Sequence, residues 1–251
     1  MKIFRNIRKQ LAAQNNVAKY MRYAIGEILL VVIGILIALG INNWNESKKE
    51  QAILNASLSS LKINLIKDIE NLNKQINYNK IVQEQIDFAF RIISLPKYAD
   101  ARLSIYADSM AAIADERTFY PITTAFKSME SGAHFRWLNN QELTESIYKL
   151  YALAERFSGI TSENNQYVKK HIESFIYGVM EFGTFFPNAN PYANKRDLKL
   201  DNTNILRGNN VFENALIGRK FRAGGEINWS EDAIKNANDL ISTIDKYLNN
   251  N

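Results

Sequence analysis

The fold depends first on the stretch AIGEILLVVIGILIALGI at residues 24–41, which contains a single charged side chain, Glu27. As an α-helix it is about 27 Å long at roughly 1.5 Å per residue, close to the roughly 30 Å of a bilayer's hydrocarbon core. It is apolar on all faces and joins a basic tail to the amide-rich residues 42–45, which argues against a core helix of a soluble domain. It is also longer than a usual signal-peptide core and follows a tail at residues 1–22, which argues against a cleaved signal peptide. We predict an uncleaved transmembrane helix over residues 23–42.

The tail at residues 1–22 carries the chain's excess of positive charge. Its six basic residues, all before the first acidic residue, are Lys2, Arg5, Arg8, Lys9, Lys19 and Arg22. The chain has 31 basic and 26 acidic residues, so the remainder is nearly neutral and offers no basic stripe for nucleic acid. The positive-inside rule therefore predicts a cytoplasmic tail and a translocated domain over residues 43–251. Arg22 and Tyr23 at one end and Trp44 at the other are predicted interface anchors.

One face of the predicted span carries its polar and small residues. Glu27, Val31, Gly34, Ala38 and Ile41 are spaced by four and three residues, which places them on one stripe of a helix. The small residues at positions 34 and 38 allow two helix backbones to approach closely. We predict contact here with another membrane protein or a second copy of the chain, besides membrane lipids. Two alternatives stay open: the Glu27 side chain reaches the headgroups, or it carries protons in an ion-driven complex.

The translocated part is predicted to be all-α. Neither Gly nor Pro occurs between Gly40 and Pro96, and apolar residues recur there every three or four positions, which predicts one long helix. A second long helix is predicted from Gln141, capped by Asn139 or Asn140. These helices are typical of an extended antiparallel, up-and-down bundle with a loop-rich insertion.

Local breaks are predicted between these helices. Gly132 is expected to end a short helix in a left-handed conformation. Residues 183–202 contain glycine and two prolines, which predicts a surface loop. Gly224 and Gly225 are expected to break a helix that starts near residue 203, and Ser230 to cap a new one.

A search for chemistry finds few candidates. The absence of cysteine excludes disulfides and thiolate metal sites. His134 and His171 are far apart in sequence and neither has a second metal ligand four residues on. We therefore predict no metal, no cofactor and no catalytic activity, with an enzyme site in residues 183–230 as the alternative. Arg219, Lys220 and Arg222 form a basic cluster that could bind an anion or lipid, or simply lie at a solvated helix surface.

Three segments carry a family resemblance: YAIGEI at residues 23–28, LVVIGILIAL at 30–39 and INNWNE at 41–46. Together they resemble the signature of a family of uncharacterised single-span proteins from Bacteroidota, although Gly40 stands where that family more usually has glutamine. A weaker match runs from TFYP at residues 118–121 to Leu143.

The resemblance implies an inner-membrane protein that faces the periplasm, and it implies no activity. Together with the residue patterns, it leads us to expect a scaffold, sensor or accessory domain that binds a partner protein.

Overall fold

The computed structural model describes residues 17–94, 111–179 and 208–250. The helices are α1 (Val17–Ser94), α2 (Ala111–Ala114), α3 (Thr124–Ser131), a 3₁₀ helix (His134–Trp137), α4 (Gln141–Val168), a π-helical turn (Lys169–Glu173), α5 (Ser174–Val179) and α6 (Asn210–Asn250). These three ranges contain no β-strand, which confirms the all-α prediction. Most of the basic tail and the loop predicted at residues 183–202 lie outside the described residues.

Contacts divide the chain into two compact units, residues 1–56 and 57–251. In the first unit, α1 contains an 18-residue window with a mean hydropathy of 2.8, none of which is buried. By length and composition this helix can cross a membrane, and it is the one helix of the described residues that meets this criterion. The apolar residues of this window are therefore not explained by packing into a protein core.

The second unit is an up-and-down arrangement of four stretches of chain. The part of α1 from residue 57 comes first, residues 111–137 return beside it, α4 runs in the direction of α1, and α6 returns. The pairs that fix these directions are Gln85–Ala112, Asp68–Ile122, Ser57–His134, Lys62–Asp245, Gln75–Glu226 and Asn164–Glu226. The returning stretch at residues 111–137 is only partly helical, so side chains rather than a helix must satisfy much of its backbone.

Two apolar clusters form the core of this unit. The larger joins α1, α4, the π-helical turn and α6 through side chains that include Val82, Ile86, Val168, Ile172 and Leu216. The smaller consists of Leu72, Phe119 and Phe157, with Trp229 and Ala233 packed against it. The predicted spacing of three and four residues thus corresponds to the buried face of each long helix.

The structure confirms one predicted cap and corrects another. Asn140 caps α4, because its side-chain oxygen accepts a hydrogen bond from the Leu143 amide. Gly132 follows α3 but has a right-handed φ of −80°, and the left-handed residue is Ala133 with a φ of 53°. The prediction of a left-handed Gly132 was therefore wrong by one residue.

The predicted break at Gly224 and Gly225 is also wrong, because α6 continues from Asn210 to Asn250. A Cβ atom at Gly224 would lie 3.1 Å from Nε2 of Gln83 on α1, so the small residue permits close helix packing. Ala223 and Glu226 beside the glycines are buried, and this packing outweighs the cost of glycine in a helix, about 1 kcal/mol each. Ser230 is buried within the same helix and does not cap it.

Candidate functional site

The non-helical residues 115–123 lie against α1 and α4, whose side chains satisfy their backbone. The Arg117 amide donates to Oδ1 of Asn165 at 3.2 Å, and the Phe119 amide donates to Oγ1 of Thr161 at 3.1 Å. Both acceptors belong to the polar C-terminal part of α4 and are buried. The polar stretch that weakens the apolar pattern of α4 therefore holds the returning chain in place.

Asp68 on α1 likewise accepts a hydrogen bond from a backbone amide of this stretch, that of Ile122. Its two carboxylate oxygens accept from the Ile122 amide at 3.0 and 3.2 Å, while the Ile122 carbonyl accepts from Oη of Tyr151 at 3.3 Å. Asp68 is only 6% exposed. Burial raises the pKa of this carboxyl to about 6, although the Ile122 amide acts in the opposite direction. Burial, followed by the charge of Asp68, also raises the pKa of Tyr151, so its hydroxyl stays protonated.

Asp68 lines a cavity of about 220 Å³ between α1, α4 and α6. Most of the wall is apolar, with Phe119, Phe157 and Trp229 as its large aromatic side chains. Asp232 and Asn236 also line it and are exposed, so they mark the side of the cavity that faces solvent. A mostly apolar cavity with a few polar groups and a carboxyl of perturbed pKa is typical of a small-molecule binding site.

A second buried carboxylate, Glu226, lies at the centre of an amide network. Its Oε2 accepts from the side-chain amides of Gln75 at 2.7 Å and Asn79 at 2.9 Å, and its Oε1 accepts from that of Asn164 at 2.6 Å. Glu226 is 2% exposed. Three donors replace the water that the carboxylate loses on burial, so this cluster joins α1, α4 and α6 through polar contacts.

The sequence of residues 27–206 matches a family of unknown function, DUF6090. The chain belongs to this family. The match begins at Glu27 in the apolar segment and covers α4, but it ends before α6. Neither a curated protein nor a solved structure matches the chain.

The DUF6090 match divides the candidate residues into two groups. Asp68, Phe119 and Phe157 lie within it, while Trp229 and Glu226 on α6 lie beyond it. The cavity and the amide network are thus each built from both parts of the chain.

The three residues of the predicted basic cluster have different surroundings in the structure. Arg219 is 1% exposed and its Nη2 donates to Oη of Tyr78 at 2.8 Å and to the Asp115 carbonyl at 3.3 Å. Burial raises the pKa of Tyr78 to about 12, with the nearby Arg219 charge acting against it. Arg219 therefore stabilises the core rather than presenting a free charge at the surface.

Lys220 and Arg222 also have partners within the protein. Lys220 pairs with Asp87 on α1, and Arg222 donates to Oδ1 of Asn164 at 2.8 Å and lies over the Tyr167 ring. The three residues do not form one exposed basic patch, and contact of Lys220 or Arg222 with an anion or lipid stays a prediction.

An exposed apolar surface lies on α6 beside Lys220. Phe221 is 83% exposed and Ile217, one helical turn before it, is 55% exposed. A shallow groove beside them is completed by Gln83, Lys220, Gly224, Gly225 and Asn228. We call Ile217, Phe221 and this groove the α6 surface. Both apolar residues are visible in the sequence, but only the structure shows that they are exposed, because residues four apart share a helix face whether that face is buried or not.

The stripe predicted for the span lies in the first unit. Val31 and Ile41 are 52% and 62% exposed, and a Cβ atom at Gly34 would meet nothing within 4 Å. Glu27 is half-buried and makes an interaction within the chain, and Ala38 is exposed.

Of the predicted anchors, Tyr23 is 54% exposed and Arg22 is also exposed. Trp44 is 61% exposed, and its ring lies 4.0 Å from Nζ of Lys48. Each of these assignments stays a prediction.

Both histidines pack within the second unit. Nδ1 of His134 lies 2.9 Å from Oγ of Ser57, and its ring stacks on Trp137. His171 packs against the ring of Tyr167. In the described part of the chain, no group of three or more histidine and acidic residues is close enough to hold a metal ion.

Proposed function

We propose that the chain is a single-pass inner-membrane protein whose helical domain, residues 43–251, lies in the periplasm, binds a partner protein and has no catalytic activity. The membrane assignment is supported by the exposed apolar segment of α1. The orientation is supported by the basic tail and the near-neutral remainder of the chain.

The observation that carries partner binding is the exposure of Phe221 beside a groove with two glycines in its wall. An aromatic side chain at 83% exposure loses contact with water when a partner covers it, and burial of an aromatic side chain contributes roughly 2 to 3 kcal/mol. A Cβ atom at Gly225 would meet nothing within 4 Å, so this glycine leaves space for a side chain of the partner. Aromatic anchors next to small concave surfaces are typical of the residues that dominate protein interfaces.

Photo-crosslinking in native membranes tests this proposal. A photoreactive phenylalanine analogue at Phe221 is expected to give a discrete protein adduct from the full-length chain. The same analogue at Tyr120, which is 73% exposed, is the matched control, because the nearby Ile122 contacts Asp68, about four helical turns along α1 from Gln83 in the α6 surface. The adduct should disappear when Ile217→Ser is added to the Phe221 probe.

The outcomes distinguish the candidate occupants of the α6 surface. An adduct with a different protein supports the proposal, and an adduct of twice the chain's mass indicates self-association instead. Labelling of lipid alone would assign the surface to the membrane. The absence of any adduct, or equal adducts from Phe221 and Tyr120, would contradict partner binding through this surface.

A further inference from the structure

The cavity beside Asp68 has the features of a built binding site within the second unit. Its volume is about 220 Å³, whereas an apolar protein cavity on the order of 150 Å³ accommodates benzene. A ligand with one ring or a short branched chain therefore fits. The aliphatic part of the wall is formed by Leu65, Leu72, Leu150, Leu153, Ala154, Ala233 and Ala237.

The charge of Asp68 is not required by its contact with the backbone. Thr161 and Asn165 accept from the neighbouring amides of Phe119 and Arg117 with neutral side chains. Asparagine could accept from the Ile122 amide in the same way. A carboxylate has about four acceptor positions, and within the described chain this one receives a single N–H, from Ile122. Asp68 thus keeps unused acceptor capacity in a buried position.

The charges and rings of the cavity favour a cation. Asp68 and Asp232 provide its two carboxyl groups, and no basic side chain is among its described lining residues. Its aromatic wall consists of Phe119, Tyr151, Phe157 and Trp229. Aromatic faces attract cations, and a carboxylate forms a charge-assisted hydrogen bond with an ammonium group.

We propose that this cavity binds a small organic amine, with its ammonium group at Asp68 and its apolar body against Phe157 and Trp229. The raised pKa of Asp68 agrees with this, because an ionised carboxyl that burial disfavours gains most from a cationic partner. The site is separate from the α6 surface, so the proposal does not depend on binding of a partner protein there.

Calorimetric titration of the full-length chain in detergent micelles tests the proposal with three probes of similar shape. These are 2-phenylethylamine as the cation, 2-phenylethanol as the neutral analogue and 3-phenylpropionate as the anion, each corrected for heat exchange with empty micelles. We expect the amine to bind about tenfold more tightly than the alcohol or better, because its hydrogen bond to Asp68 is charge-assisted. The anion should not bind measurably.

Two variants and a control identify the site. Asp68→Asn should remove the preference for the amine over the alcohol. Ala233→Leu should abolish binding of both, because the larger side chain fills the cavity while Asp68 stays in place. Asp87→Asn, which removes an exposed carboxylate on the same helix, should leave the titration unchanged.

The proposal is overturned if wild type binds none of the probes, or binds the alcohol as tightly as the amine. It is also overturned if Ala233→Leu, with unchanged helical circular dichroism, binds the amine as wild type does. If Asp68→Asn does not fold, the three probes on wild type and the Ala233→Leu variant decide the question.

Discussion

Both carboxylate oxygens of Asp68 accept a hydrogen bond from the same donor, the amide of Ile122, at 3.0 and 3.2 Å. This contact joins α1 to the returning stretch at residues 115–123, 54 positions further along the chain. Burial raises the pKa of the Asp68 carboxyl to about 6, compared with 3.8 for a free aspartate, although the hydrogen bond from Ile122 acts in the opposite direction. Protonation of Asp68 is therefore coupled to the stability of the bundle.

Asp68→Asn should stabilise the domain near pH 7. As pH rises from about 4 to 6, Asp68 ionises in the unfolded chain before it ionises in the folded one, so wild type loses stability over that interval and levels off above it. A shift of about two pKa units corresponds to about 3 kcal/mol, and solvent at the open side of the cavity screens part of it. We expect a gain of about 1 to 2 kcal/mol in the free energy of unfolding.

Thermal unfolding of the full-length chain between pH 4 and pH 8 measures this effect. The difference between Asp68→Asn and wild type should be small at pH 4 and largest at pH 7. Glu70→Gln, at an exposed position on the same helix, is the matched control and should change stability by less than about 0.5 kcal/mol. A constant difference across the pH range would show that burial does not perturb Asp68 as we describe.

Glu226→Ala should destabilise the domain strongly. The substitution leaves the buried side-chain amides of Gln75, Asn79 and Asn164 without their shared acceptor. Each unsatisfied buried group costs about 1 to 3 kcal/mol, so we expect a total loss of about 3 kcal/mol or more. Glu231→Ala, at an exposed position on the same helix, should change stability by less than about 0.5 kcal/mol. Equal melting midpoints for the two variants would contradict the role of Glu226.

The helical class and the long helices can be predicted from the sequence, because spacing and caps are local signals. Asn140, one of the two residues that the sequence offers as a cap, caps α4. The position of the returning chain and the continuity of α6 depend instead on contacts between residues that are distant in sequence. The polar residues Thr161 and Asn165 weaken the apolar pattern of α4, yet they bond to a returning chain that periodicity does not reveal. Gly224 resembles a helix break, but its close approach to Gln83 keeps α6 continuous.

The candidate site was harder to predict for the same reason. Asp68 lies on the predicted long helix, and nothing in its local sequence distinguishes it from the solvated acids around it. The cavity depends on side chains from α4 and α6, such as Phe157 and Trp229, which are distant in sequence. The basic cluster was visible in the sequence, but the burial of Arg219 depends on its contact with Tyr78.

The stripe on the span predicts a helix contact. Gly34→Leu should prevent close approach and abolish crosslinking through this stripe in native membranes, while insertion is preserved because leucine is more apolar. Gly40→Leu is the matched control, since residue 40 lies about 120° around the helix from Gly34.

Glu27→Gln should preserve the helix contact if Glu27 has only a structural role. Loss of function with an intact complex would instead indicate proton transfer. If Gly34→Leu crosslinks as strongly as Gly40→Leu and Glu27→Gln, the predicted helix contact through this stripe is contradicted.

The topology of the chain is the most direct test of the central claim. The sequence contains no cysteine, so single cysteines at Asn15 and Ser242 provide unambiguous labels. Ser242 is exposed on α6, and the change from serine to cysteine is small. On intact spheroplasts, a membrane-impermeant thiol reagent should label position 242 and should reach position 15 only after the membrane is opened. Labelling of position 15 with protection of position 242 would reverse the orientation, and labelling of both without membrane disruption would contradict a membrane-spanning segment between them.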